Sequence, residues 1–423
     1  MKLLTVDTID EALEKIHTRV KAWRLETETI LLGETASGGY FPDGIADKGA
    51  GRVLAEDIYA RGDIPAFRRA VVDGYAVIAA DTAGAGDAIP AFLKMVGAAR
   101  MGKPAGFSIR SGECAYVPTG GMIPAGADAV VMAEYAEVSG DGVAVYEAAA
   151  PGRGIAEAGE DLHAGELIAR RGTVIRPQEI GACAAAGISS VRVFAPLCLA
   201  VISTGDELVP PEQEPQPGEV RDINTRALTA LAMRRGYRVV CAKVIPDNEA
   251  AIEAAVRKAL PLCDIVIISG GSSKGEKDFT AGIIDRVTDG GVFSGGLAVK
   301  PGKPAIFGWD AENKTLLAGL PGHPVSAMMV FEIILGRLID ELFGCVRRTF
   351  PVTARISCNV PGASGKTLLL PVILRMDETG YLAEPVFGKS GMITTLTRAD
   401  GYAVIDLNKE GLRKDEPVLV HLL

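Results

Sequence analysis

Of 423 residues only four are histidine and seven are cysteine, and positive charge is not in excess. Cys114, Cys183, Cys198, Cys241, Cys263, Cys345 and Cys358 are scattered without a CxxC pair, and several sit in apolar, strand-like runs. That distribution reads as inert core thiols, not as a disulfide or zinc framework. His17, His163, His323 and His421 are too dispersed to mark a zinc site by spacing. The 53 acidic against 44 basic residues give a net charge of −9, the wrong sign for a general nucleic-acid binder, so no nucleic-acid partner is expected. No apolar run is long enough to span a bilayer, and acids stand where a secretion signal would have its apolar stretch. A cytoplasmic location without a membrane partner follows as an expectation.

What is present is enough apolar sequence for several cores, since 423 residues exceed what one core usually organises. A helix is expected from Val6 to Trp23, capped by Asp7 or Thr8, with Ile9, Leu13, Ile16 and Val20 at helical spacing. A Gly-rich stretch from Gly33 to Gly51 and a short helix-like segment, Arg52 to Tyr59, come next. From Val71 to Tyr146 short β-rich pieces separated by Gly and Pro suggest a small mixed or barrel-like unit, and Ala148 to Arg176 an extended arm. Between Val191 and Gly344 strand-like and helix-like segments alternate, with one helix expected to be capped by Asn224 and the next to start at Asp247, the pattern of a doubly wound α/β domain. It ends in a long amphipathic helix that Pro324 opens without losing a hydrogen bond. Beyond Arg347 strand signals dominate. The fold class is therefore multidomain α/β plus β, with units expected at 1–176, 177–345 and 346–423.

Doubly wound sheets bind ligands beyond the carboxyl ends of their strands, and four polar loops fall there. In Ser203-Thr204-Gly205-Asp206-Glu207-Leu208 the backbone of Thr204 and Gly205 can approach a ligand, while Asp206 and Glu207 either hold a hard cation such as Mg²⁺ or are solvated turn acids. In the loop from Ser269 through Gly270, Gly271, Ser272, Ser273, Lys274 and Lys277 to Asp278, glycines and serines precede a helix whose positive end suits phosphate. Asp278 can cap that helix, bind metal, or both. In Lys300-Pro301-Gly302-Lys303-Pro304 two ammonium groups sit on a proline-stiffened loop, fit for phosphate or another oxyanion. In Gly319-Leu320-Pro321-Gly322-His323-Pro324-Val325-Ser326 free amides open the long helix and form a second anion site. Together the loops describe a phosphate-bearing ligand with a divalent cation.

In this order and separation the four loops resemble those of the MoeA family, the molybdopterin molybdenumtransferases that include the E domain of gephyrin. The resemblance also takes in Val72-Asp73-Gly74-Tyr75-Ala76, Pro118-Thr119-Gly120, Ala129-Val130-Val131-Met132 with Glu134, Gly159-Glu160-Asp161 and Lys389-Ser390-Gly391. It implies a central domain like that of MogA, a C-terminal β-barrel-like domain, and a homodimer in which Asp73 and Asp161 act across the interface. It further implies Glu207, Asp278, Lys300 and Lys303 as catalytic, with Glu207 and Asp278 on Mg²⁺. Thr119, Thr204, Gly205, Asp206, Gly270, Gly271, Ser272, Ser273, Pro321, Gly322, His323, Ser326 and Ser390 would bind the ligand. The implied reaction cleaves molybdopterin adenylate, releasing AMP as molybdenum from molybdate enters the dithiolene. Implied partners are molybdopterin adenylyltransferase and molybdoenzyme apoproteins or their chaperones.

Where the family usually has an acid, Asn and Ser before Asp73, this chain has Phe67-Arg68-Arg69-Ala70-Val71-Val72; His323 stands where Asn is commoner. A tungstate-preferring or catalytically reduced scaffold is the alternative those departures suggest. A molybdopterin adenylyltransferase is the other, though it would need the α/β domain alone.

Overall fold

Continuous apolar runs in Cys198–Thr204, Ile265–Ser269 and Thr315–Leu320 have no polar face, so these strands must be covered on both sides. The structure, a computed structural model describing residues 6–32, 49–270, 279–345 and 350–423, places them at the centre of a six-stranded sheet. Across the sheet the order is Arg238–Ile245, Cys198–Thr204, Ile265–Ser269, Thr315–Leu320, Ile306–Asp310 and Val292–Ser294; the first four are parallel, and Ile306–Asp310 runs against both of its neighbours. Helices Glu249–Ala259 and Phe279–Val287 cover one face with Ile252, Val256, Ile283 and Ile284. Asn224–Arg234 and the run from Pro324 to Phe343 cover the other with Leu228, Leu231, Met329, Phe331 and Leu338. The doubly wound layout is present.

Two helix starts differ from the sequence reading. Asn224 is the first helical residue and not a cap; Asp222 Oδ1 accepts from the Thr225 N–H at 3.1 Å instead. The next helix starts at Glu249, capped by Asn248, two residues later than Asp247. The helix opened by Pro324 passes through a π-helical stretch, Phe331–Gly336, before Arg337–Phe343. It is buried nearly all round, not amphipathic, because the same core takes in Ile16 of the N-terminal helix and Leu369 and Tyr402 of the C-terminal region.

The N-terminal helix Ile9–Val20 carries the expected Thr8 cap, with Glu11 returning the bond to the Thr8 N–H at 2.8 Å. Residues 129–132, 74–77, 113–117, 91–98, 142–145 and 136–139 form a second six-stranded sheet in that spatial order. The strand Ala91–Ala98 escaped the sequence reading. The expected helix at Arg52 to Tyr59 is absent among the described residues. Val53 and Leu54 bridge to Val174 and Val193, and Ile58–Tyr59 pairs with Leu167–Ala169 of the arm. Helix Pro177–Ala185 and strand Ser190–Phe194 share a core with Ile30, Leu54, Ile58 and Ala169, so the packing of the N-terminal region extends past residue 176.

In the C-terminal region Thr367–Asp377, Gly380–Pro385, Val352–Ile356, Pro417–Leu422 and Gly401–Ile405 close on themselves as a five-stranded barrel, which removes the exposed sheet edges. Among the described residues no helix is long and apolar enough to cross a membrane.

Candidate functional site

A cleft of about 1430 Å³ opens between the carboxyl ends of the α/β strands and the barrel. The lysine loop is where the two units join. Val299–Lys300 pairs in parallel with the barrel strand Thr367–Asp377, and the Thr367 N–H donates to the Ala298 carbonyl at 2.7 Å. Gly302 has φ +119, and a Cβ there would lie 2.4 Å from Val330 Cγ2; only glycine lets the loop lie this close to the long helix. Lys300 and Lys303 both line the cleft, joined from the barrel side by Lys366 and Lys389. None of these four ammonium groups has a carboxylate partner among the described residues, so their charge is available to an anion.

Across the cleft the loop after Cys198–Thr204 presents Thr204 and Glu207. Gly270 holds φ +122, and a Cβ there would lie 2.4 Å from the Thr204 carbonyl oxygen, so the loops after two adjacent strands touch backbone to backbone. Gly205 and Asp206 are outside the cleft lining. Asp206 Oδ1 accepts from the Asp247 N–H at 2.9 Å, which makes it a loop-fixing acid. Gly271, Ser272, Ser273, Lys274, Lys277 and Asp278 lie outside the described residues.

Pro321, Gly322, His323 and Ser326 line the cleft at the start of the long helix. Part of the expected anion site is spent within the protein: Pro324 has no N–H, and the Val325 N–H donates to the Ser390 carbonyl at 3.1 Å. His323 Nδ1 and Ser390 Oγ share a hydrogen bond of 2.7 Å, so this corner ties the α/β domain to the barrel.

Asn224 lines the floor and was missed as a site residue. Its Nδ2 donates to Ser269 Oγ and to the Gly322 carbonyl, both at 2.8 Å, binding three loops together. Lys366, Asp222 and Asp247 also line the cleft unanticipated. A lysine or acid on a surface loop carries no signal of its own; Asn224 could have been suspected from its place at a strand-to-helix crossing.

Asp73, Thr119 and Asp161 are not cleft-lining residues. Asp73 Oδ1 accepts from the Thr119 N–H at 2.6 Å and from its hydroxyl at 2.9 Å. Those donations hold the Asp73 carboxyl below the usual aspartate range, the backbone bond contributing most. Asp161 is exposed on the arm, its N–H donating to the Ile64 carbonyl. Arg68 is engaged locally, with Glu157 at 3.0 Å and the Ala127 carbonyl at 3.1 Å.

Glu207, Asp222 and Asp247 put carboxylates around the cleft, yet among the described residues no three His, Cys, Asp or Glu side chains converge to hold a metal.

Three family models match in chain order: "MoeA N-terminal region (domain I and II)" over residues 8–187, "Probable molybdopterin binding domain" over 200–341 and "MoeA C-terminal region (domain IV)" over 353–423. A molybdopterin molybdenumtransferase of Haemophilus influenzae is 31% identical over 425 residues, covering 98% of this chain and 99% of that one. Another, of Staphylococcus epidermidis, is 30% identical over 371 residues and 87% of each chain. The crystal structure of a molybdopterin biosynthesis moeA protein from Pyrococcus horikoshii superposes with a TM-score of 0.81 at 29% identity, covering 99% of this chain and 100% of that one.

Proposed function

The chain belongs to the MoeA family, and we propose that it is a molybdopterin molybdenumtransferase, which takes molybdenum from molybdate into molybdopterin held as its adenylate and releases AMP. The observation that carries this reading is the cleft at the α/β–barrel joint, with four lysines free of carboxylate partners among the described residues. Its substrates are anions: an adenylate with linked phosphates, and an oxyanion. Ammonium groups on stiff backbone lower the cost of bringing these together and stabilise charge that builds on the phosphate as AMP leaves. Lys300 and Lys303 take that role; Thr204, Gly270, Pro321, Gly322, His323, Ser326 and Ser390 hold the rest of the ligand. The N-terminal and C-terminal regions exceed what an adenylyltransferase would need.

Mg²⁺ belongs to the proposal with Glu207 and Asp278 as ligands, supported by their oxygen chemistry and their place on loops after sheet strands; when bound it would neutralise phosphate charge. So does a homodimer, supported by the exposed positions of Asp73 and Asp161 away from the cleft of their own chain. Cytoplasmic action, and exchange with an adenylyltransferase and with molybdoenzyme apoproteins or their chaperones, complete the reading.

The test incubates purified protein with adenylated molybdopterin, Mg²⁺ and either molybdate or tungstate, following AMP and active cofactor. Oxyanion-dependent AMP release is the expected result, and the faster oxyanion is the natural one. Binding of the adenylate without turnover under either oxyanion would sink the transferase reading.

A further inference from the structure

Two oxygens at the carboxyl end of the sheet are unused among the described residues. Thr204 and Asn224 are 6% and 8% exposed, both line the cleft, and Thr204 Oγ1 and Asn224 Oδ1 are buried with no hydrogen-bond partner among the described residues. The Asn224 carboxamide cannot turn round to cure this, because both Nδ2 donations, to Ser269 and Gly322, are made. Leaving a buried acceptor unpaired costs about 1–3 kcal/mol, and native proteins keep few such groups without a reason.

We propose that Thr204 Oγ1 and Asn224 Oδ1 receive the N–H edge of a flat heterocycle, so that the cleft fixes the direction in which its ligand lies. An ionised phosphate brings only acceptors, and Asn224 Oδ1 can only accept, so a phosphate cannot satisfy this end. Asp222 lines the cleft beside these two loops and repels an anion there. Lys300, Lys303, Lys366 and Lys389 gather the opposite charge. A ligand with a lactam N–H and an amine at one end and phosphate at the other can therefore lie one way only. A pterin has such an edge. The inference rests on the molybdopterin reading above and adds to it the residues that distinguish the two ends of the substrate.

The test measures binding of two probes to the full chain by calorimetry: 6-hydroxymethylpterin, which carries no phosphate, and AMP. Thr204→Val removes only the unpartnered oxygen, so the melting temperature should hold or rise, while pterin affinity falls about fivefold or more and AMP affinity stays within about twofold. Lys366→Ala should do the reverse. Asn224→Ala also loses two structural bonds, so it is judged by its ratio of pterin to AMP affinity, which should fall. Unchanged pterin affinity in Thr204→Val, equal loss of both probes, or wild-type binding of AMP without the pterin would overturn the orientation and leave the transferase reading standing. A wild-type protein that binds neither probe would remove both.

Discussion

The lysine wall of the cleft and the Asp73–Thr119 corner of the N-terminal region hold their charges in opposite ways. The lysines have no carboxylate partner among the described residues and are placed by backbone: a strand pairing at Val299–Lys300, and a glycine at 302 pressed against Val330. Asp73 is kept ionised by two donations from one neighbour, on a surface outside the cleft. Unpaired charge inside a cleft is suited to a ligand, whereas a pre-ionised acid facing outward is suited to a group brought by another molecule. If both serve one reaction, Asp73 acts on a substrate held in another molecule's cleft, since on one chain the two lie apart.

The lysines should give the largest loss of activity. Lys300→Ala is expected to lower AMP release by about 100-fold or more at an unchanged melting temperature, since a group that stabilises developing charge commonly contributes 2.7–4 kcal/mol; a single-turnover assay with melting curves checks it. Gly302→Ala should follow, because the added Cβ meets Val330 at 2.4 Å and φ +119 resists any side chain. A loss of about 2 kcal/mol of stability, read by urea unfolding, and a drop in turnover of about tenfold are expected.

Mixed dimers separate the two chains' contributions. If Asp73 serves a partner's cleft, Asp73→Asn and Lys300→Ala subunits, each poorly active alone, should recover about a quarter of wild-type activity after unfolding and refolding together. Half the dimers are then mixed, and each has one intact site of two. No recovery would place both residues on the same chain's site. The smallest effect expected is electrostatic. Thr119→Val removes a donor that favours the charged form, so the Asp73 pKa should rise toward its ordinary value, followed by carboxyl NMR titration. The sign is that of a depressed acid: its contribution is present above the ordinary aspartate pKa and is lost as pH falls through the lowered one.

Much of the α/β domain was legible because its signals are local. Strand runs such as Ile265–Ser269 are apolar throughout, and Pro324 marks a helix start by lacking an N–H. The cap of the N-terminal helix was legible as Asp7 or Thr8, and the structure gives it to Thr8. The failures came where distant pairing overruled local pattern. Arg52 to Tyr59 has helical character, yet the arm and the strand Ser190–Phe194 take up its hydrogen bonds. The long helix reads as amphipathic until three parts of the chain pack round it.

By itself, then, the sequence determined the order of strands and helices, the loops at strand ends and the residues with charge or hydroxyls to offer, because propensity, capping and loop chemistry act over a few residues. Tertiary structure alone decided that Lys366 and Lys389 face Lys300 and Lys303, that Asp206 is spent on the Asp247 backbone, and that Asn224 binds three loops with one oxygen left over. Those outcomes depend on which segments come to lie side by side, and no spacing along the chain encodes the distance across a cleft.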